Sequence, residues 1–474
     1  MRVAIVGGGI SGLALAERLA AEGAEPIVLE ADDRIGGKVG SFRKDGFLLE
    51  AGPNGFLDKE PKTLELADRL GLGGALHRAD RAAERRWIHL RGGLREVPTK
   101  PPAFLASDLL PWSAKLRIAG ELFTPRKPAG KDESIAEFGR RHLGRRATSD
   151  LLGAMVLGIY GGDVEKLSLQ SCFPRMAQLE AEHRSLLLAM IRIQRERRKA
   201  LGPAGPVPAN AGGPSGPSGT LTSCEGGLGG YVGRLAERLG DVVHTGTAVD
   251  RLERAGGRWR LHTSKRGEGA ELEVDAVALA TPADVTGRLV APLDASLAEL
   301  AQAIPYVPMA VVHLAWPKER IRHPLDGFGF LIPPGEGKRI LGAIFISTLF
   351  PWRAPPGQAL FTVMVGGAVR PELALGSEAS IGQLAREELA AIVGAAGDPS
   401  LLEVVRWERA IPQYHVGHEA KRQAAEGRVA QHPGLFLAGN AWKGIGFNDC
   451  IAAAPELTAR ILGDQRVGAL SVSS

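Results

Sequence analysis

Cysteine is almost missing. Cys172, Cys224 and Cys450 are the only three in 474 residues. They stand far apart and form no CxxC pair, so neither a disulfide framework nor a zinc spacing is available, and a reducing compartment is expected. No run of 18 apolar residues occurs, which leaves no segment of membrane-spanning length. A charged leader with an apolar core is also missing, because the first strand-like run begins at Arg2, so a cytoplasmic chain is expected. Charge of one sign is weak: 58 Lys+Arg against 53 Asp+Glu leave +5. That excess does not argue for nucleic acid, so none is expected as a partner, but it suits an acidic small molecule or an anionic membrane surface. There is no Ser-His-Asp order signal and no metal cluster. His415 and His418 share an i, i+3 spacing without a third ligand, so no metal is expected. No repeat recurs at a fixed period.

Glycine is abundant, at 62 residues, and two glycine turns lie more than 400 residues apart. The first is in "VAIVGGGISGLAL". Residues 3–6 read as a buried parallel strand, a helix is expected from about Ser11 to Glu22, and "PIVLE" reads as a second strand ending at Glu30. Between strand and helix stand Gly7, Gly9 and Gly12. That spacing allows a tight turn, close approach of a pyrophosphate to backbone, and close helix–strand packing. The helix N-terminus at Ser11 supplies free N–H groups, and Glu30 is placed to accept from a ribose. A dinucleotide-binding α/β unit follows. The second turn, "LAGNAWKGIGFNDC", lies between the apolar run "GLFL" and a helical stretch, "IAAAPELTARIL".

Residues 100–200 read as mostly helical, and 201–220 as a Pro/Gly-rich surface loop. "VVHTGTAV", "RWRLHT" and "ELEVDAVALATPA" read as strands. So do "MAVVHLAW", "FGFLIP", "ILGAIFIS" and "ALFTVMVGG".

After Glu30 comes "ADDRIGGKVGSF", with Arg34, Gly36 and Gly37. This extension resembles the flavoprotein form of the motif, found in the family of amine oxidases, phytoene desaturases and protoporphyrinogen oxidases. The resemblance implies FAD, with Arg34 near the phosphates and Val249 of "GTAVDRLER" at the adenine. It explains the second turn, whose Gly439, Gly444, Gly446 and Asp449 would hold the flavin end. The helix after Asn448 would face negative charge on the reduced ring. Trp407 would pack near the flavin.

"GPNGFLDKEP", "GGLREVPTKPPAF", "GIYGGDVEKLS", "GFGFLIP", "LGAIFIST", "IPQYHVGH" and "GNAWKGIGFNDC" together resemble the bacterial, oxygen-dependent protoporphyrinogen oxidases over nearly the whole chain. The implied substrate is a tetrapyrrole and the implied oxidant is dioxygen. By resemblance, Arg95 would pair with a propionate. Leu331, Ile344 and Met364 would form the apolar slot, Gly329 would leave room for the ring edge, and Gly158 and Tyr160 would lie near the substrate. The fold implied is a Rossmann-like FAD domain (1–84, 221–285, 405–474), a mixed-sheet substrate domain (85–99, 286–404) and an inserted helical domain (100–200).

Coproporphyrinogen III stays open as the substrate. Amine or polyene oxidation is disfavoured by only four tyrosines, which leave little for an aromatic cage. A non-catalytic binding protein of the same fold would lack the intact FAD signature. "RIQRERRKA" reads first as a solvated helix face. With "PPAFLASDLLPW" it is alternatively a peripheral contact with the cytoplasmic face of an anionic membrane, since the resemblance implies such contact through the helical domain.

Overall fold

The first apolar run forms β1 (Arg2–Val6), whose Val3, Ala4 and Ile5 are fully buried, as expected of a parallel strand covered on both faces. The computed structural model describes residues 1–98, 100–124, 127, 130–183, 185–189, 192–193, 195 and 219–472. Most of the Pro/Gly-rich run and of the basic run near Arg197 lie outside the described residues.

From β1 the chain turns into α1 (Ile10–Ala21) and returns as β2 (Glu25–Leu29), parallel to β1 with Val3 opposite Pro26. The sheet holds five strands in the order Val243–His244, β2, β1, Ala276–Leu279, Leu435–Leu437, and every pairing is parallel. Its strands therefore come from the start, the middle and the end of the chain. Leu13 and Leu19 of α1 pack with Leu235 and Ile461 over this sheet.

Two runs expected to be single strands are each divided between two sheets. "ELEVDAVALATPA" breaks at Asp275. Glu268–Val274 joins a three-stranded antiparallel sheet with Thr247–Ala255 and Arg258–Lys265, whereas Ala276–Leu279 enters the parallel sheet beside β1. Asp275 is held at the junction by both its backbone, which donates to Arg2 O at 2.9 Å, and its carboxylate, which accepts from Arg2 N at 2.7 Å. "VVHTGTAV" breaks at Gly246, which has a φ of 60°. The C-terminal helix also differs from expectation. It starts at Phe447, before Asn448, and is divided into Phe447–Ala452 and Ala454–Val472.

The second large sheet has seven strands, in the order Leu401–Pro412, Tyr306–Pro317, Gln358–Gly366, Ile340–Phe345, Gly329–Leu331, Trp87–Leu90, Gly93–Glu96. All neighbours are antiparallel except Gly329–Leu331 with Trp87–Leu90, so the sheet is mixed, as expected. Side chains alternate between its faces. Val312, Leu314, Val363 and Val365 pack against Leu389 and neighbouring residues of the helix Glu378–Val393. Each such burial contributes about 1.5–3 kcal/mol. The alternate residues Met309, Val311, Thr362 and Met364 face a cavity. Helices Pro101–Ala106, Trp112–Ala119, Ile135–His142, Gly153–Tyr160 and Pro174–Glu182 form the helical region expected there. Ser134 and Glu137 close a capping box at the third of these.

Candidate active site

One cavity of about 1610 Å³ runs from the first glycine turn to the seven-stranded sheet. At its first end the wall is largely backbone. Gly7 has a φ of 108°, and a Cβ there would lie 2.8 Å from Ala280 O. A Cβ on Gly12 would lie 2.0 Å from Gly7 O, so this glycine seats α1 against the turn and does not line the cavity. Gly9 lines it, and a Cβ there would meet nothing within 4 Å. Backbone at that point thus faces open space beside the N-terminus of α1, which is the cradle a pyrophosphate requires. Ser11 lines the same wall.

Glu30, just past β2, is aimed by two backbone donors, with Gly8 N at 2.6 Å and Asp32 N at 2.9 Å. The Arg34 guanidinium donates to Gly37 O at 2.6 Å and stands 5.9 Å from the Trp407 ring centroid. Gly36 has a φ of 95°, and a Cβ there would lie 2.3 Å from Val39 O. Arg34, Gly36, Gly37 and Val249 all line the cavity, the last at a bulge in Thr247–Ala255.

The second glycine turn reaches the same cavity through Gly439, Gly446 and Asp449. Gly444 does not line it. A Cβ there would lie 2.3 Å from Asp449 Cβ, so this glycine makes room for the aspartate. The Asp449 carboxylate accepts from Gly446 N at 3.0 Å, and burial pushes its pKa up. Asp449 thus takes the N–H of Gly446, just before the helix Phe447–Ala452, which has only six residues.

At the other end the wall is side chain. Leu157, Gly158 and Tyr160 come from the helix Gly153–Tyr160, and Met309, Val311, Ile344 and Met364 from the sheet. The Trp407 indole N–H donates to Ala51 O at 2.7 Å. The Tyr160 hydroxyl donates to Cys172 O at 2.9 Å, and burial pushes its pKa up, so it holds its proton.

Three residues expected at this end lie outside the cavity lining. Leu331 packs with Ile88, Leu90, Leu109 and Ala154, behind the helix that carries Gly158. A Cβ on Gly158 would lie 2.6 Å from Leu331 Cδ2, so Gly158 admits this leucine. Gly329 has a φ of 137°, and a Cβ there would lie 2.1 Å from Ala343 O, so pairing with the strand Ile340–Phe345 explains it without a ligand. Arg95, on the edge strand Gly93–Glu96, is ion-paired with Asp108 and donates to Leu90 O at 3.2 Å.

Sequence reasoning missed the charged core between the two ends. Glu50 is 1% exposed and Arg353 is fully buried, and they pair at 2.7 Å. Burial, opposed by Arg353, pushes the Glu50 carboxyl up to about 7. His313 is buried and pushed down to about 4, hence neutral near pH 7. It donates from Nε2 to Glu50 O at 3.0 Å, leaving Nδ1 to accept from the Thr362 hydroxyl at 3.1 Å. Lys38 lines the cavity 5.6 Å from the Tyr306 ring centroid, and burial lowers its pKa. A lone acid in "FLLEAGP" and a lone arginine in "LFPWRAPP" were the available signals. No group of three or more His, Cys, Asp or Glu suited to a metal occurs among the described residues.

The profile of the flavin-containing amine oxidoreductases matches residues 10–462. Coproporphyrinogen III oxidase of Bacillus subtilis (strain 168) is 30% identical over 465 residues, covering 95% of each chain. Protoporphyrinogen oxidase 1 of Arabidopsis thaliana chloroplasts is 33% identical over 480 aligned positions, covering 96% of this chain and 87% of that one. A crystal structure named for a candidate protoporphyrinogen oxidase from Exiguobacterium sp. 255-15 superposes with a TM-score of 0.81 at 27% identity, covering 97% of this chain and 98% of that one. The chain belongs to the flavin-containing amine oxidoreductase family, and FAD is the cofactor for which its two glycine turns and the cavity between them are shaped.

Proposed function

We propose that the chain oxidises protoporphyrinogen IX to protoporphyrin IX in tetrapyrrole biosynthesis, with dioxygen as acceptor and hydrogen peroxide as co-product. The observation that carries this reading is one continuous cavity, about 1610 Å³ in all, that joins a dinucleotide cradle to an apolar end. The relatives named for porphyrinogen oxidation support it. Bound FAD would supply hydride acceptance from a carbon whose C–H is activated by flanking pyrroles.

The chain's own work is placement. Gly7, Gly9 and Ser11 hold the pyrophosphate, Arg34 stands near it, and Glu30 accepts from the ribose. Val249 backs the adenine, and Gly439, Gly446 and Asp449 bound the flavin end. Ile344, Met364, Met309 and Trp407 hold the macrocycle and exclude water. Within this reading the FAD part centres on the parallel sheet and the substrate part on the mixed one, whose strand Leu401–Pro412 runs across the boundary expected at 405.

Coproporphyrinogen III is the second reading, favoured by the Bacillus relative's name. It carries four propionates, against two propionates and two vinyls. Among the lining residues the cations are Arg34, Lys38, Arg288 and Arg409. Two stand on the loop after β2 and Arg288 on the helix after Pro282. Of the lining cations only Arg409 comes from the mixed sheet, on the strand Leu401–Pro412, and it is already paired with Asp284, which favours the less charged substrate. Steady-state rates with both porphyrinogens, read as porphyrin fluorescence alongside dioxygen uptake, test the choice. A higher kcat/KM for coproporphyrinogen would transfer the assignment, and porphyrin formation without dioxygen uptake would remove dioxygen as acceptor.

Peripheral contact with an anionic membrane belongs to the same proposal. No helix among the described residues is long and apolar enough to cross a membrane. Trp112, Leu116 and Phe123 are 67%, 69% and 79% exposed on the helical region, close in sequence to Arg117. Sedimentation with phosphatidylglycerol vesicles should fall when all three become serine. Equal sedimentation would exclude this surface.

A further inference from the structure

The turn 51–55 touches segments from both ends of the cavity, Lys38 after the first glycine turn and Trp407 of the mixed sheet, and its Gly52, Pro53, Asn54 and Gly55 line the cavity. Three side chains from distant segments hold backbone carbonyls of the turn and of Glu50 just before it. His313 donates to Glu50 O at 3.0 Å, Trp407 to Ala51 O at 2.7 Å, and Arg353 to Asn54 O at 3.1 Å. Clearance is small. A Cβ on Gly52 would lie 2.2 Å from Lys38 O, and one on Gly55 would lie 2.7 Å from Thr222 O.

Arg353 joins these contacts. Its Nη2 reaches Glu50 Oε1 at 2.7 Å and Ser223 Oγ at 2.6 Å, besides Asn54 O. Glu50 in turn accepts from Leu228 N at 2.9 Å and Ser41 Oγ at 2.5 Å. The guanidinium carbon lies 4.6 Å from the Phe350 ring centroid and 5.2 Å from that of Trp352. The pair thus ties the strand Ser41–Lys44, the strand Leu221–Cys224, the helix Leu228–Leu239 and the segment 350–353 to one turn.

For stability alone such a pair is a poor solution. Desolvating two charges is costly, and well-packed apolar replacements are often neutral or stabilising. An apolar pair cannot, however, hold a carbonyl in place. Directed hydrogen bonds can, and a charged donor makes them stronger.

We propose that Arg353, together with Glu50, is a positioning residue: it sets the 51–55 wall against which substrate is held toward the cofactor. The substrate half of this statement rests on the porphyrinogen reading above. Displacing a reacting group by about 1 Å can cost on the order of a hundredfold in rate, so loss of the tie should appear in kcat more than in KM.

Glu50→Gln/Arg353→Met is the variant to make, because removing both charges leaves no lone buried ion. Single-turnover reduction and steady-state rates with protoporphyrinogen are one reading. Visible circular dichroism of the bound flavin is the other and needs no substrate. The proposal expects flavin retained, an altered dichroism band, kcat at least tenfold lower and KM within threefold. Native dichroism together with kcat within twofold would overturn it. If the double variant does not fold, Arg353→Lys, which keeps the charge but is shorter and so withdraws the donor that Nη2 supplies to Glu50, Asn54 and Ser223, is judged by the same two readings. If the native protein turns over neither porphyrinogen, the functional reading fails on its own, and the dichroism of the variants still decides whether Arg353 sets the wall.

Discussion

The two ends of the cavity are built from different materials. The dinucleotide end is made of backbone: glycines with a positive φ or no room for a Cβ, a helix N-terminus, and one carboxylate aimed by two N–H groups. The apolar end is made of side chains standing on alternate positions of a mixed sheet, with a helix opposite. A backbone site tolerates almost no substitution and so leaves a spelled motif. A side-chain site needs only apolar volume, which many residues supply.

That contrast can be broken, and the largest effect belongs at the backbone end. Gly12→Val would drive carbon into Gly7 O. It should abolish flavin binding or folding, seen as colourless or insoluble protein. Glu30→Ala should follow. Loss of hydrogen bonds to a charged acceptor, worth roughly 1.5–3 kcal/mol, should weaken FAD retention at least tenfold by fluorescence on dilution. At the apolar end, Ile344→Asp should raise KM about tenfold or more while flavin absorbance per protein stays native. If the flavin were lost instead, the two ends would not be separable.

Smaller effects sharpen the picture. Below pH 7 the Glu50 carboxyl, raised to about 7, keeps in the folded state a proton that the unfolded chain releases near its ordinary 4.5, and above pH 7 it is the carboxylate that pairs with Arg353. The stability this confers is complete below the unfolded value and is lost as pH rises through 7. The melting temperature of native protein, measured against Glu50→Gln, should therefore fall from pH 5 to pH 8. A flat difference would mean that Glu50 is ionised throughout. Smallest of all is Arg95→Ala. Since Arg95 pairs with Asp108 outside the cavity, kcat/KM should stay within about twofold, the range of an ordinary surface change. A large loss would return Arg95 to the substrate.

How much of this was legible follows the same division. The β1–α1–β2 unit, Glu30 and both glycine turns could be read directly, because each position answers a backbone demand. The mixed sheet was visible as apolar runs, but their face was not. Ile344 and Met364 reach the cavity while Leu331 packs behind the Gly158 helix, and no local pattern separates them. Gly329 has the look of a ligand-clearing glycine and instead serves strand pairing. Asp275 and Gly246 sit inside runs that read as single strands, yet each redirects its strand to a second sheet. The Glu50–Arg353 pair spans 303 positions, a separation at which sequence carries no local signal of contact.

The central claim is that one cavity brings a porphyrinogen to a flavin. Anaerobic mixing of the yellow protein with protoporphyrinogen, followed at the flavin's visible maximum, tests it most directly. Rapid bleaching, with the Ile344→Asp variant bleaching more slowly at the same substrate concentration, is the predicted result. Unchanged absorbance with both protoporphyrinogen and coproporphyrinogen would contradict the account, leaving the family and the fold but not the function.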